Sequence, residues 1–101
     1  MRFVLACLFA AATIFSVAAQ ANAAAGRSTY AARGCIGCHG AGGISVVATY
    51  PSLKGQSGNY IRKNLTDFRS GARKNAVMNA MAAGLSDADI KNLGDYIDSL
   101  R

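Results

Sequence analysis

The sequence predicts a small helical domain on the basis of two observations. Within residues 58–70, and again near the carboxyl end, apolar side chains recur three and four positions apart, the spacing of one helix face. No stretch shows the strict alternation of apolar and polar residues that is typical of a half-buried strand. The chain has 101 residues, enough for one domain at most, and its 51% hydrophobic content with a single proline indicates a globular chain.

Part of that hydrophobic content belongs to the first 23 residues, which are interpreted as a cleaved secretory signal peptide. Arg2 is followed by an uncharged apolar run over residues 3–19, and residues 21–23 match a small-x-small cleavage pattern. The mature domain is then 24–101, and its expected location is the periplasm. An uncleaved membrane anchor is the alternative, although the run is slightly shorter than the roughly 20 apolar residues of a spanning helix. Cys7 is expected to leave with the signal.

A first helix is predicted from about Arg27 as far as Gly34, because its alanines favour helix and the glycine weakens it. The glycine-rich segment Gly40–Gly55 follows. Its apolar patch at residues 44–50 is compatible with a strand, but the neighbouring glycines favour an irregular loop.

A second helix is predicted over Gly58–Ser70, with Ser57 as its N-cap and Gly71 as its stop. Residues 72–84 are predicted to be a linker of polar and small residues. The apolar stripe of the second helix consists of Ile61, Leu65 and Phe68.

The last helix has the strongest start signal in the chain. Ser86 is placed to cap it, Asp89 lies at the third helical position, and Leu85 and Ile90 have the spacing of a hydrophobic staple. Its apolar face is formed by Ile90, Leu93, Tyr96, Ile97 and Leu100.

The most informative motif is Cys35-Ile36-Gly37-Cys38-His39, which is the pattern that attaches c-type haem. Each thiol would add across one haem vinyl group, and the adjacent histidine would reach the iron as its proximal ligand. The chain contains no second motif of this kind, so one covalent haem is predicted, with Cys35 and Cys38 as thioethers and His39 on the iron.

Three other interpretations of the motif are weaker. A structural zinc site needs four ligands, and the chain has only Cys7 to add to the motif. A thioredoxin-like redox pair requires a βαβ pattern, which is absent from the sequence. A disulfide closing so short a loop would contribute little stability.

His39 is the only histidine, so a second histidine of the chain cannot bind the iron. The soft candidates for the sixth position are the thioethers of Met78 and Met81. A methionine among small residues commonly fills a gap in a core instead. The spacing of the two methionines does not separate them.

Three segments together resemble class I c-type cytochromes of the small bacterial type, and single domains of periplasmic di-haem cytochromes. They are residues 35–40 (CIGCHG), 50–56 (YPSLKGQ) and 78–87 (MNAMAAGLSD). The resemblance implies an all-α class I cytochrome c fold, with three to four helices wrapped around one covalently bound haem.

The same resemblance implies several contacts around the haem. Gly26 and Tyr30 of the first helix would pack against Tyr96 of the last. The carbonyl of Pro51 would accept a hydrogen bond from the non-ligating nitrogen of His39. In relatives with two such methionines the first is usually the ligand, which favours Met78 as the distal ligand over Met81.

With both axial positions filled, no site is open for a substrate, so the sequence predicts an electron carrier rather than an enzyme. The alternative is a cytochrome subunit of a flavin-containing oxidoreductase such as a sulfide dehydrogenase, whose cytochrome subunits also resemble this sequence. A third, minor interpretation is a haem protein with an open iron site that binds small gases, if neither methionine ligates.

The distribution of charged residues along the sequence indicates what kind of partner protein to expect. The net charge is +6, with cations crowded at residues 62–74 and four aspartates on the last helix. This asymmetry favours docking to a redox protein with an acidic surface. Nucleic acid and small-molecule substrates are not expected as partners. The expected assembly is a monomer or a subunit of a heteromeric redox complex.

Overall fold

The computed structural model describes residues 20–101, and these residues form five α-helices joined by turns and one long loop. Most of the predicted signal peptide, including Cys7, lies outside the described residues. No strand occurs between residues 20 and 101, which agrees with the predicted all-α fold. The helices are α1 (20–32), α2 (Cys35–His39), α3 (Gly58–Ser70), α4 (Ala76–Ala83) and α5 (Asp87–Ser99).

Helix α1 is longer than the sequence predicted, because it is helical from residue 20 rather than from about Arg27. Its early part is rich in alanine, which has the highest helix propensity of the amino acids. The predicted cleavage point after Ala23 falls inside this helix. Cleavage there would leave Gly26 and Tyr30 in the remaining part of α1.

The prediction of a linker over residues 72–84 was wrong for Ala76–Ala83, which form α4. The side chain of Asn75 caps this helix by accepting a hydrogen bond from the backbone N–H of Met78, at 3.0 Å. Four of the eight residues of α4 are alanine. The stretch lacks a clear polar face, so its alanines were interpreted as linker residues rather than as helix formers.

Helix α3 has the bounds and caps that the sequence predicted, and α5 has the predicted N-cap. Ser57 accepts a hydrogen bond from Tyr60 N–H at the start of α3, and Gly71 ends it in the left-handed region with φ of 84°. At the start of α5, the side chains of Ser86 and Asp89 each accept a hydrogen bond from the other residue's backbone N–H.

The core lies where α3 packs against both α4 and α5, and where α1 crosses α5. Its buried apolar residues are Tyr30, Ile61, Phe68, Ala82, Leu85, Ile90, Leu93, Tyr96 and Ile97. The predicted stripes of α3 and α5 supply most of them. Leu65 and Leu100 are partly buried and pack against this cluster.

Two glycines allow the helices to approach closely. A Cβ at Gly26 in α1 would lie 1.9 Å from the carbonyl oxygen of Asn92, so only glycine fits where α1 crosses α5. Beside this crossing the rings of Tyr30 and Tyr96 pack with centroids 5.3 Å apart, as the resemblance implied. A Cβ at Gly58 would lie 2.6 Å from the carbonyl oxygen of Gly94, where α3 meets α5.

Residues 44–57 are largely irregular, which confirms the predicted loop, and a short 3-10 turn at Ala41–Gly43 precedes them. Over the part of the chain that the structure describes, every helix is too short or too polar to cross a membrane. The apolar run of residues 3–19 lies outside that part.

Candidate haem site

The CxxCH motif forms its own short helix, α2, between two glycines with positive φ. Gly34 has φ of 79° before the helix and Gly40 has φ of 88° after it. A Cβ at Gly40 would lie 1.8 Å from the carbonyl oxygen of Ile44, because the chain turns back sharply there. Since residues three apart share one face of a helix, α2 directs the side chains of Cys35 and Cys38 to the same side.

Both motif cysteines are free thiols, so each sulfur is available for a thioether bond. Cys35 is partly buried and packs against the core cluster. Burial raises the pKa of the Cys35 thiol above its ordinary value. The attachment point therefore lies at the edge of the core and not on an exposed loop.

The imidazole of His39 is fixed by the carbonyl oxygen of Pro51, which lies 2.8 Å from its Nδ1. A carbonyl can only accept, so Nδ1 carries the hydrogen and donates it. In the neutral imidazole with its hydrogen on Nδ1, the other ring nitrogen, Nε2, is the one that can bind a metal ion. The structure thus contains the hydrogen bond that the resemblance implied.

The position of the Pro51 carbonyl depends on a backbone anchor two residues further on. The carbonyl oxygen of Gly43 accepts hydrogen bonds from Leu53 N–H at 2.8 Å and from Lys54 N–H at 3.1 Å. The hydroxyl of Ser52 accepts a third bond, from Ser45 N–H at 3.0 Å. These bonds fold the segment around Pro51 back onto the residues that follow the motif.

Tyr30 adds a contact that sequence reasoning missed. Its hydroxyl donates a hydrogen bond of 2.6 Å to the carbonyl oxygen of Gly40, directly after His39. Burial is the main cause that raises the pKa of Tyr30 to about 12, so the hydroxyl is protonated at neutral pH. The resemblance implied that Tyr30 packs against Tyr96 of the last helix, but a separation of ten residues gives no periodic signal for its bond to Gly40.

The two candidate methionines lie one turn apart on α4. Met78 is partly buried and packs against the same core cluster as Cys35. Met81 is 39% exposed, and its methyl carbon is 3.8 Å from the position that a Cβ on Gly34 would take. The fold therefore places Met81 beside the residue that precedes the haem motif, and Met78 against the core cluster that Cys35 also contacts.

The surroundings of the motif fit a haem. Most of the large apolar side chains that remain exposed among the described residues follow or lie within the motif, or lie on α4. They are Ile36, Ile44, Val46, Val47, Tyr50, Val77 and Met81, with Tyr60 on α3 as the exception. Apolar surface of this kind suits a macrocycle held between the motif and α4, and two thiols with one imidazole are the donor set that haem c requires.

The described residues contain no other metal-binding cluster. Within residues 20–101, no three histidine, cysteine or acidic side chains come together in a way that would hold a metal ion. The zinc interpretation of the motif therefore lacks the further ligands it needs in this part of the chain.

The basic segment and the last helix do not form two separate charged surfaces. Arg62 pairs with Asp95 at 3.1 Å and Arg69 with Asp87 at 2.6 Å, so two cations of α3 neutralise two of the four aspartates of α5. All five acidic side chains of the sequence take part in ion pairs within the chain. The helix periodicity predicted each face separately, but it could not show that the two faces meet.

Four cations of the described residues have no carboxylate partner: Arg27, Lys54, Arg73 and Lys74. Lys54 lies beside the segment that positions the Pro51 carbonyl, and its backbone bonds to Gly43. Arg73 and Lys74 directly precede Asn75, the cap of α4. Arg73 also stacks on the ring of Phe68, at 4.8 Å from its centroid.

Comparisons with known proteins show the family of the chain. The family model described as Cytochrome c matches residues 23–101. Cytochrome c-554(548) of Halomonas halodenitrificans is 41% identical over 68 residues, covering 64% of this chain and 82% of that protein. The thiosulfate dehydrogenase electron acceptor of Stutzerimonas stutzeri (strain A1501) is 39% identical over 89 residues, covering 80% of this chain and 41% of that protein. The crystal structure of reduced recombinant cytochrome c4 from Pseudomonas stutzeri superposes with a TM-score of 0.71 at 38% identity, covering 81% of this chain and 50% of that one.

These matches and the geometry of the motif define a small c-type cytochrome. The chain belongs to the cytochrome c family. It has the all-α class I fold, carries covalently bound haem c, and is an electron-transfer protein rather than an enzyme. It spans most of the length of the cytochrome c-554(548), but half or less of the cytochrome c4 and of the thiosulfate dehydrogenase electron acceptor.

Proposed function

We propose that this chain is a periplasmic carrier of single electrons, with one haem c held by Cys35 and Cys38 and ligated by His39 and Met78. The observation that carries the proposal is the hydrogen bond from His39 Nδ1 to the Pro51 carbonyl, because it leaves Nε2 free for iron. When bound, the haem supplies a reversible one-electron couple between ferrous and ferric iron. A reduced redox protein donates the electron and an oxidised redox protein accepts it.

The protein's own residues hold the haem iron and set its reduction potential. The Pro51 carbonyl makes His39 a stronger electron donor by accepting its Nδ1 hydrogen. A thioether ligand from Met78 would favour the ferrous state and raise the reduction potential. With His39 and Met78 both holding the iron, no position would remain for a substrate or a gas, and the haem would supply electron transfer only.

Met78 is preferred over Met81 because it is the less exposed of the two and packs against the core with Cys35. A buried thioether is held in one place by its neighbours, whereas an exposed one must be ordered on binding. The proximity of the Met81 methyl to Gly34 keeps Met81 as the runner-up.

The ligand assignment is tested by absorption and NMR spectra of the haem-loaded protein in both oxidation states, with Met78→Ala and Met81→Ala beside it. We expect a low-spin spectrum in the wild type and in Met81→Ala, and a high-spin spectrum only in Met78→Ala. Loss of the low-spin form in Met81→Ala alone would reverse the assignment. Extraction with acidic organic solvent must leave the haem on the protein, since thioether bonds survive it.

Export is tested separately, by fractionation of the producing cells and by the mass of the purified protein. We expect the protein in the periplasmic fraction, with a mature chain that begins at Ala24. A chain that retains residues 1–23 and stays with the membrane fraction would support the anchor instead.

A second candidate function is an electron acceptor or cytochrome subunit for a dehydrogenase that oxidises a sulfur compound. It is favoured by two relatives, from Stutzerimonas stutzeri and Thiomonas intermedia (strain K12), that are named thiosulfate dehydrogenase electron acceptors. This role overlaps in part with the alternative that the sequence suggested, a cytochrome subunit of a flavin-containing oxidoreductase such as a sulfide dehydrogenase. Copurification with a larger dehydrogenase from the native organism would support it, whereas a freely diffusing monomer would favour the carrier.

A further inference from the structure

The first turn of α4 is joined to its neighbours by one side chain, that of Asn79. Its Nδ2 donates two hydrogen bonds, one to the carbonyl oxygen of Phe68 at 2.8 Å and one to the carbonyl oxygen of Arg73 at 2.9 Å. Its Oδ1 accepts a third, from Asn75 N–H at 2.9 Å. Both hydrogens of the amide are therefore used, and the side chain ties together the last turn of α3, the connecting loop and the cap of α4.

Asn75 completes the arrangement from the other side. Its side-chain oxygen accepts a hydrogen bond from Met78 N–H at 3.0 Å, and its backbone carbonyl accepts one from Asn79 N–H at 2.7 Å. The backbone of Met78 thus lies inside a closed set of hydrogen bonds that Asn75 and Asn79 make to each other and to the end of α3.

Little of α4 is fully buried, although the helix packs against α3. The helix has eight residues, and only Ala82 among them is fully buried. Isolated helices of this length are unstable in water, so tertiary contacts must fix where such a helix lies. With so little apolar packing, the bonds of Asn79 to Phe68 and Arg73 are the main directional contacts between α4 and the preceding residues.

We propose that Asn79 is a positioning residue that holds Met78 in place as the distal ligand of the haem iron. The inference rests on the proposed function, because it takes Met78 as that ligand. Loss of the Asn79 bonds would let the first turn of α4 move away from α3. The thioether would then leave the iron more often, and an added ligand would replace it faster.

The test is the rate at which cyanide displaces the methionine from the ferric, haem-loaded protein, measured for wild type, Asn79→Ala and Asn79→Asp. Alanine removes all three side-chain bonds, yet it is the better helix former, so reduced helix propensity cannot explain a loosened α4. Aspartate keeps the acceptor for Asn75 N–H but removes both donors and faces two carbonyl oxygens with a carboxylate. We expect the displacement rate to rise at least tenfold in both variants, with the methionine methyl resonance of the ferrous protein broadened or shifted.

Two control variants separate positioning from general stability. Ser57→Ala removes the cap of α3 and destabilises the whole domain, but it touches no bond of Asn79. Asn59→Asp makes the same amide-to-acid change as Asn79→Asp, on an exposed residue of α3 that bonds only Arg62. We expect both to displace methionine at the wild-type rate, even where guanidinium unfolding shows lower stability.

The role of Asn79 and the assignment of Met78 as the ligand are overturned by different results. Wild-type displacement rates in both Asn79 variants would overturn the positioning role, as would an equal increase in Ser57→Ala. The proposed function is judged by Met78→Ala, measured in the same assays. If Met78→Ala keeps the methionine signal, the ligand assignment fails. If it loses that signal while the Asn79 variants behave as wild type, only the inference about Asn79 fails.

Discussion

Tyr30 connects the first helix to the haem motif through the hydrogen bond from its hydroxyl to the Gly40 carbonyl. Tyr30→Phe keeps the ring against Tyr96 but leaves that carbonyl without its partner. An unsatisfied buried acceptor costs about 1–3 kcal/mol. We therefore expect the variant to be less stable by about this amount at pH 7, measured by guanidinium unfolding of the haem-loaded protein.

The difference in stability between wild type and Tyr30→Phe also depends on pH. The pKa of Tyr30 is raised to about 12 in the folded protein, against about 10 in the unfolded chain. A raised pKa gives stability that is fully present below pH 10 and is lost as pH rises to 12, because the unfolded chain ionises first. The wild type should thus lose its extra stability over Tyr30→Phe as the pH rises from 10 to 12. A difference that stays constant from pH 8 to pH 12 would contradict the burial of Tyr30.

At the scale of single residues, the sequence predicted the role of a residue where that role follows from the type of its side chain. The motif cysteines, His39 and the cap residues carry their own signals, because spacing and side-chain chemistry define them. The resemblance supplied Pro51. The bonds of Tyr30 to Gly40 and of Asn79 to Phe68 join residues about ten positions apart through loops. No periodicity encodes such a distance, so these contacts required the fold.

Among the elements, the crossing of α1 and α5 depends on the absence of a side chain at Gly26. In Gly26→Ala the new Cβ would lie 1.9 Å from Asn92 O and 2.8 Å from the Tyr96 Cβ, so α1 must move outward. Overpacking of this kind costs about 1–3 kcal/mol. We expect the melting temperature to fall by roughly 4–8 °C for each kcal/mol lost.

Gly37→Ala is the matched control for this crossing, because a Cβ at Gly37 would meet no atom within 4 Å. It should leave the melting temperature of the haem-loaded protein close to that of the wild type. Equal losses in the two variants would mean that the glycine at the helix crossing has no special role.

The cap of α5 gives a prediction at low pH. The backbone N–H of Ser86 hydrogen-bonds to the carboxylate of Asp89 and lowers the pKa of Asp89. A lowered pKa gives stability that is present above the unfolded value of about 4 and is lost as pH falls through the folded value. Asp89→Asn should therefore be less stable than wild type near pH 7 and approach it in acid, as followed by thermal unfolding from pH 7 to pH 2.

The elements differ in how well the sequence predicted them, for a physical reason. Helices α3 and α5 carry both a cap and an amphipathic stripe, so both ends of α3 and the start of α5 were predicted. Helix α4 lacks the stripe, because it is short and buries fully only Ala82, and the segment was predicted to be a linker. Its cap residue, Asn75, was the one available signal.

For the whole molecule, the distribution of unpaired charges affects how fast redox partners associate with the protein. Lys74 is unpaired beside α4, whereas Lys91 pairs with Asp95 at 3.3 Å on α5. If an acidic partner docks at the haem edge, Lys74→Gln should slow electron transfer at low ionic strength and flatten the salt dependence of the rate. Stopped-flow kinetics with an acidic redox protein provides the measurement. The control Lys91→Gln should change the rate less, and an equal effect would argue against docking beside α4.

The internal pairing of every aspartate has a further consequence, for encounters between two copies of this protein. Each copy presents unpaired cations and no unpaired aspartate, so two copies repel one another. Electron self-exchange between an oxidised and a reduced copy should therefore accelerate as salt is added, because salt screens the repulsion. Exchange with an acidic partner should slow under the same conditions. In dilute salt, electrons held by a population of this cytochrome would pass to an acidic partner more readily than among the copies themselves.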